Sequence, residues 1–171
     1  GEASGDLFGV NGTVEISDNG LILAIGAPLN DGNGTNSGHV RIFENINNSW
    51  TQIGSDIDGE VAGDRACTIS LSGDGSTVAI GSRDHDGSTG IDSGHVRVFK
   101  NIGGTWTQIG STIDGEAAGD MSGYSVALSL DGTTLAIGSR FSKSLNKIDS
   151  GHVRVFKNIG GTWTQIGSTI D

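Results

Sequence analysis

Residues 92–114 recur without a single change as residues 149–171, and a looser copy occupies residues 36–58. The tripeptide Gly-His-Val marks the same point in each copy, at Gly38, Gly94 and Gly151, and so sets periods of 56 and 57 residues. Periods of this length belong to propeller blades or solenoid turns, in which one small unit buries its apolar faces only by stacking on its own copies. The chain therefore divides into units at 1–58, 59–114 and 115–171.

Each unit reads as four antiparallel strands. An acidic glycine turn opens it, at residues 1–6, 59–64 and 115–120. Apolar residues then alternate, at Val14 and Ile16, at Cys67, Ile69 and Leu71, and at Tyr124, Val126 and Leu128, which is the period of a strand. A turn follows with Asp or Asn beside Gly (residues 18–20, 73–75 and 130–132), where the side chain bonds its own backbone and Gly accepts positive φ. The second strand is a continuous apolar run, at 21–25, 77–80 and 134–137, and such runs predict burial on both faces. The third begins at His39, His95 and His152, and the fourth at Trp50, Trp106 and Trp163, with Asn47-Asn48, Gly103-Gly104 or Gly160-Gly161 turning between them. Thirty glycines and a single proline suit short strands and tight turns. The expected fold is all-β: three four-stranded, blade-like repeats.

The short signatures of the first unit, Phe8-Gly9 before its first strand and Gly26-Ala27-Pro28 after its second, resemble the FG-GAP repeats of integrin-α-type β-propellers. The later units carry Ala66-Cys67 and Gly123-Tyr124 at the first signature, and Gly81-Ser82-Arg83 and Gly138-Ser139-Arg140 at the second. The resemblance implies a non-catalytic extracellular propeller, often used in adhesion. That family's calcium loop is similar to Asp-x-Asp-x-Asp-Gly, whereas the matching loop here holds one conspicuous acid per unit, at Asp18, Asp74 or Asp131.

Three blades fall short of the four to eight that close a propeller. Residues 170–171 followed by residues 1–2 would reproduce the junctions at 57–60 and 113–116. Neither end carries the polar cap that a terminating array needs. The expectation is one period of a longer array, or a subunit whose head meets another's tail. Such a contact closes into a ring or runs on as a filament. The start at Gly1, without leader or initiator Met, reads as a mature or excised piece.

Charge narrows the partners. A net charge of −10 repels phosphate backbones and anionic lipid, so nucleic acid is a poor partner. No apolar run approaches the ~20 residues of a membrane-spanning helix. A lone Cys67 permits no internal disulfide.

The candidate chemistry recurs with the fold, which favours structural roles. His39, His95 and His152 occupy one repeat position, no nucleophile elbow is present, and no His/Cys cluster has zinc spacing. The Ser-x-Asp-Gly turns are similar to sialidase Asp boxes, themselves structural, and no carboxylate pair stands out as a glycosidase would require. The loop between the second and third strands varies most, at residues 27–37, 82–93 and 139–150. Its second copy offers Asp84, Asp86 and Asp92, an oxygen set for calcium and the one cofactor invited here; the plainer reading is a solvated acidic loop. Its third copy carries Arg140, Lys143 and Lys147, which would attract an acidic neighbour. Asn11, Asn33 and Asn47 lie in Asn-x-Ser/Thr sequons, all in the first unit. The leading expectation is a non-enzymatic, extracellular structural or adhesive repeat protein that associates end to end with copies of itself or with adjacent repeats. A propeller that binds glycans or surface proteins through its variable loops is the alternative, and a hydrolase on the same scaffold a third class.

Overall fold

A computed structural model describes residues 1–10, 13–141 and 150–171. Among the described residues every regular element is a strand, arranged as three antiparallel sheets. The first sheet runs β1 (Val14–Ile16), β2 (Ile22–Ala27), β3 (His39–Ile46), β4 (Ser49–Gln52), and the two-residue β5 (Ile57–Asp58) pairs with the start of β3. The second repeats it as β6 (Thr68–Leu71), β7 (Thr77–Ser82), β8 (His95–Ile102), β9 (Thr105–Gln108) and β10 (Ile113–Asp114). The third is β11 (Ser122–Leu128), β12 (Thr134–Ser139), β13 (His152–Ile159) and β14 (Thr162–Gln165), with Ile170 bridging Val153 where the other sheets have their short fifth strand.

The registers repeat with the sequence. Ala27 faces His39, Ser82 faces His95, and Ser139 faces His152 across the central pair of each sheet. The turn after the first strand shows why. Ser17, Ser72 and Ser129 donate their hydroxyls to Asn19, Asp74 and Asp131, whose Oδ1 atoms accept the amides of Leu21, Ser76 and Thr133. The following Gly20, Gly75 and Gly132 have φ near +70°. The conspicuous acid expected at Asp18 is thus displaced by one residue. Asn19 holds the turn, and Asp18 occupies the place of Gly73 and Leu130. Asp74 Oδ1 and both carboxylate oxygens of Asp131 accept within this local network.

The first strands of successive sheets lie side by side, and the Leu128 amide donates to the Ser70 hydroxyl at 3.0 Å. The sheets fan outward from this common edge and bury two cores between them. Val40 and Ile42 meet Ile69, Leu71, Val78, Ile80 and Phe99 in the first core. In the second, Val96 and Val98 meet Leu135, Ile137, Phe156 and Trp163. The middle sheet is covered on both faces, and all six residues of β7 are buried as the apolar run predicts. The same run is half-buried at Ile22, Leu23 and Ile25 in β2 and at Thr134, Ala136 and Gly138 in β12, because each outer sheet has a neighbour on one face only.

Candidate functional site

The feature that recurs, and then stops, is the seam between blades. Alternation along the third strand assigns its residues to two faces. His, Arg and Phe (95, 97, 99) turn toward the preceding blade, whereas Val96 and Val98 turn toward the next. Arg97 lies over the Phe99 ring and donates to the Asp58 carbonyl, and Arg154 lies over Phe156 and donates to the Asp114 carbonyl at 2.7 Å. Trp106 Nε1 donates to the Ile53 carbonyl at 2.9 Å, and Trp163 Nε1 to the Ile109 carbonyl at 3.0 Å. Each seam therefore carries one Arg and one Trp clamp from the later blade onto backbone oxygens of the earlier one.

A backbone ladder adds to the clamps. The amides of Gly59, Gly63, Arg65 and Ala66 donate to the carbonyls of Gly38, Thr35, Asn36 and Ser37. The amides of Gly115, Gly119, Met121 and Ser122 repeat this on Gly94, Ile91, Asp92 and Ser93. The Asp18 amide donates to Gly73, and the Gly73 amide to Leu130, at 2.9 Å each. The acidic glycine turn that opens a unit in sequence is thus, in structure, the strap that binds it to the blade before. Asp64 closes that strap by accepting the amides of Glu60 and Val61 at 2.7 and 3.0 Å, as Asp6 does for Glu2 and Ala3.

Among the described residues the same groups lack their counterparts at both flanks. Val14 and Ile16 are 47% and 54% exposed, while the matching Ile69 and Leu71 are 4% and 8%. On the opposite flank Val153 and Ile170 are 36% and 59% exposed, against 0% for Val96 and 7% for Ile113. Trp50 is exposed where Trp163 is buried. Among the described residues the amides of Gly5, Leu7 and Phe8, equivalents of the strap donors, meet no acceptor. Arg41 turns instead to the Gln52 side chain and to Asp56 and Glu2. The outer face of the third blade holds a hollow of about 460 Å³ lined by Gly138, Gly151, Val153 and Ile170, where the first two blades receive the strap of their successor.

The residues singled out for binding fall elsewhere. Asp84, Asp86 and Asp92 share the rim of one surface hollow. Asp84 lies 3.3 Å from Arg65 and 3.5 Å from Arg83, and Asp86 accepts the amide of Asp92. Their oxygens are not drawn together as a ligand set. Among the described residues the groups whose ligand atoms lie within 4.8 Å of one another are Glu60 with His85 and His95, and Glu2 with His39 and Asp56. Asn33 is exposed, yet its Nδ2 donates to the carbonyls of Gly59 and Glu60, so a glycan there would displace two contacts across the first seam. Asn47 is exposed in a hairpin turn at φ 52°. Asn11, Lys143 and Lys147 lie outside the described residues.

The in-phase histidines start their strands in the seam layer, buried as a structural role requires. Among the described residues both ring nitrogens of His95, like those of His39, are buried without a hydrogen-bond partner; what sets His95 apart is a second imidazole, His85, with ring centroids 4.0 Å apart. Burial, then the neighbouring His85 and Arg97, pushes the His95 pKa down to about 3, so the ring is neutral near pH 7. Sequence reasoning misses His85, because in the Arg-Asp-His-Asp stretch at 83–86 the acids are the more conspicuous signal. Its signal was there: it is the one histidine of four that falls out of phase with the repeat.

No protein family matches the sequence, and no curated protein does either. Among solved structures, a eukaryotic initiation factor superposes with a TM-score of 0.55 over 92% of this chain at 15% identity. A prolyl endopeptidase gives 0.52 over 90% at 14% identity, and the tricorn protease 0.52 over 89% at 11%. The chain spans 33%, 21% and 18% of those three chains. At such identities the likeness is one of fold, and it agrees with the geometry above: the three sheets are consecutive blades of a β-propeller.

Proposed function

We propose that this chain is a non-catalytic, extracellular structural repeat protein whose blades join end to end with further blades of the same kind, building a larger propeller or a filament. One observation carries the reading. The seam is made twice in the same way, with the same four strap bonds and the same Arg and Trp clamps, and its two halves stand unmatched at the two outer faces. The face bearing Val14, Ile16 and Trp50 is the half supplied by a later blade; the face bearing Val153 and Ile170 is the half supplied by an earlier one. A contact between these unlike faces is heterologous, and the rotation per blade decides whether it closes or propagates. The resemblance to FG-GAP repeats supports an extracellular, adhesive setting, and Phe8-Gly9 sits within the strap of the first unit. The Ser and Asx residues of the turns, the strap aspartates and the seam Arg and Trp make the same structural contacts from blade to blade, which favours structure over catalysis.

Sedimentation velocity tests the proposal. The chain should form species heavier than its 17.4 kDa monomer as concentration rises. Val153→Asp should return it to monomer with an unchanged strand signal in circular dichroism. A chain that sediments as a monomer at every concentration would refute end-to-end joining of this chain with itself.

A further inference from the structure

We propose that His85, His95 and Glu60 form a binding site for a divalent transition metal of the zinc type, which ties the strap of the second blade to its own variable loop. A ring nitrogen of each histidine and a carboxylate oxygen of Glu60 lie within 4.8 Å of one another. His95 Nδ1 is 3.6 Å from Glu60 Oε2, and the two imidazoles are 4.0 Å apart between centroids.

The set is more than a patch of surface acids. His95 is fully buried, and among the described residues neither of its ring nitrogens has a hydrogen-bond partner, so its lone pair is left unsatisfied. His85 has a carboxylate behind it: Asp64, itself buried, lies 2.9 Å from its Nδ1. A carboxylate bonded to one imidazole nitrogen fixes the ring and raises its basicity, the arrangement that supports histidine ligands in metal sites. Asp64 is already held by the strap amides, so the support is rigid. Two imidazoles and one carboxylate make a borderline set that suits zinc better than calcium, and three protein ligands leave a position for water.

The site does not recur with the fold. The loop of the first blade has Leu29 and Asn30 in the region where the second has His85. The other close group, Glu2 with His39 and Asp56, contains one imidazole, and Arg41 lies 3.7 Å from Glu2 and 3.5 Å from Asp56. In the proposed site Arg97 stands 3.9 Å from Glu60 and donates its other nitrogen to Asp58, so Glu60 can turn to the metal while Arg97 keeps its clamp.

Calorimetric titration of the 171-residue chain with zinc chloride, together with thermal melts and the visible spectrum with cobalt(II), tests the site. The expected result is one zinc ion per chain, a higher melting temperature, and cobalt absorption characteristic of nitrogen–oxygen ligation. His85→Ala should abolish the binding and the spectrum. Glu60→Gln should weaken zinc at least about 10-fold, and as an exposed substitution it keeps the test valid if His85→Ala folds poorly. Absence of binding would overturn the proposal. So would binding that survives both variants, or binding that is lost on His39→Gln alone.

Discussion

Gly26, Gly81 and Gly138 occupy the same place near the end of the second strand in their blades, yet alanine should mean something different at the third. None has a left-handed φ, so the backbone itself tolerates a side chain. A Cβ on Gly26 would come within 2.7 Å of the Cys67 carbonyl oxygen, and one on Gly81 would collide with the Gly123 carbonyl. Both obstacles are backbone of the next blade and cannot rotate away. A Cβ on Gly138 would meet closely only the Ser125 hydroxyl of its own blade, which can rotate.

The magnitudes follow. Overpacking against backbone costs about 1–3 kcal/mol, while replacing Gly in a strand returns roughly 0.5–1 kcal/mol. The collision at Gly81 is with backbone and severe, so the cost sits at the top of that range: Gly81→Ala should lower stability by about 2–2.5 kcal/mol, a fall in Tm of roughly 4–10 °C for a chain of this size. Gly138→Ala should leave Tm unchanged or slightly raised, since only the strand gain remains. If another blade docks on that flank as Cys67 and Gly123 dock on theirs, its incoming backbone meets the new methyl. The same 1–3 kcal/mol then appears as an association weakened by about 5- to 150-fold. Thermal melts and sedimentation of the two variants read both quantities. The reasoning fails if Gly138→Ala destabilises the monomer as much as Gly81→Ala, or if association survives it unchanged.

Three further outcomes probe the seam and the turns. Trp106→Phe removes the indole bond to the Ile53 carbonyl and should cost about 1–3 kcal/mol; Trp50→Phe, on the open flank, should change the thermal melt of the monomer by less than about 0.5 kcal/mol. The Cys67 thiol is buried in the first seam, and that burial pushes its pKa up to about 11. Alkylation at pH 8 should therefore proceed only as fast as the seam opens, and labelling at the rate of a free thiol would show that the first two blades are not held together. The Ser129 hydroxyl, then the Thr133 amide and hydroxyl, pull the Asp131 carboxyl down to about 2 from its ordinary 3.8. A depressed carboxyl stabilises the fold above its unfolded value and loses that contribution as pH falls from about 4 to about 2. An NMR titration should place its midpoint near 2, and Asp131→Asn should flatten the acid limb of the melting curve; a midpoint near 4 would mean that the turn network is not formed in solution.

The strands were legible because each is announced by local chemistry: alternation in β6, an apolar run in β7, and Gly103-Gly104 between β8 and β9. What a single unit cannot announce is what it leans on. The burial of β2 differs from that of β7 though their sequences are close, because burial here belongs to the neighbour and not to the strand. The seam was hidden for the same reason. Its donors are backbone amides of a turn that reads as solvent-facing glycine and acid, and its acceptors, such as Ser37 and Asp58, are carbonyls with no side-chain signature. Side chains could have hinted at it in one place. Trp106 alternates with exposed threonines in β9, and an indole so placed on an outer strand needs an acceptor beyond its own sheet. Repetition made the histidine pair hard to see as well, because three copies at 39, 95 and 152 argue that all are alike. The argument holds for the position and fails for its surroundings: only at His95 does the structure bring a second imidazole, from a loop that does not repeat, against a buried ring whose nitrogens have no other partner.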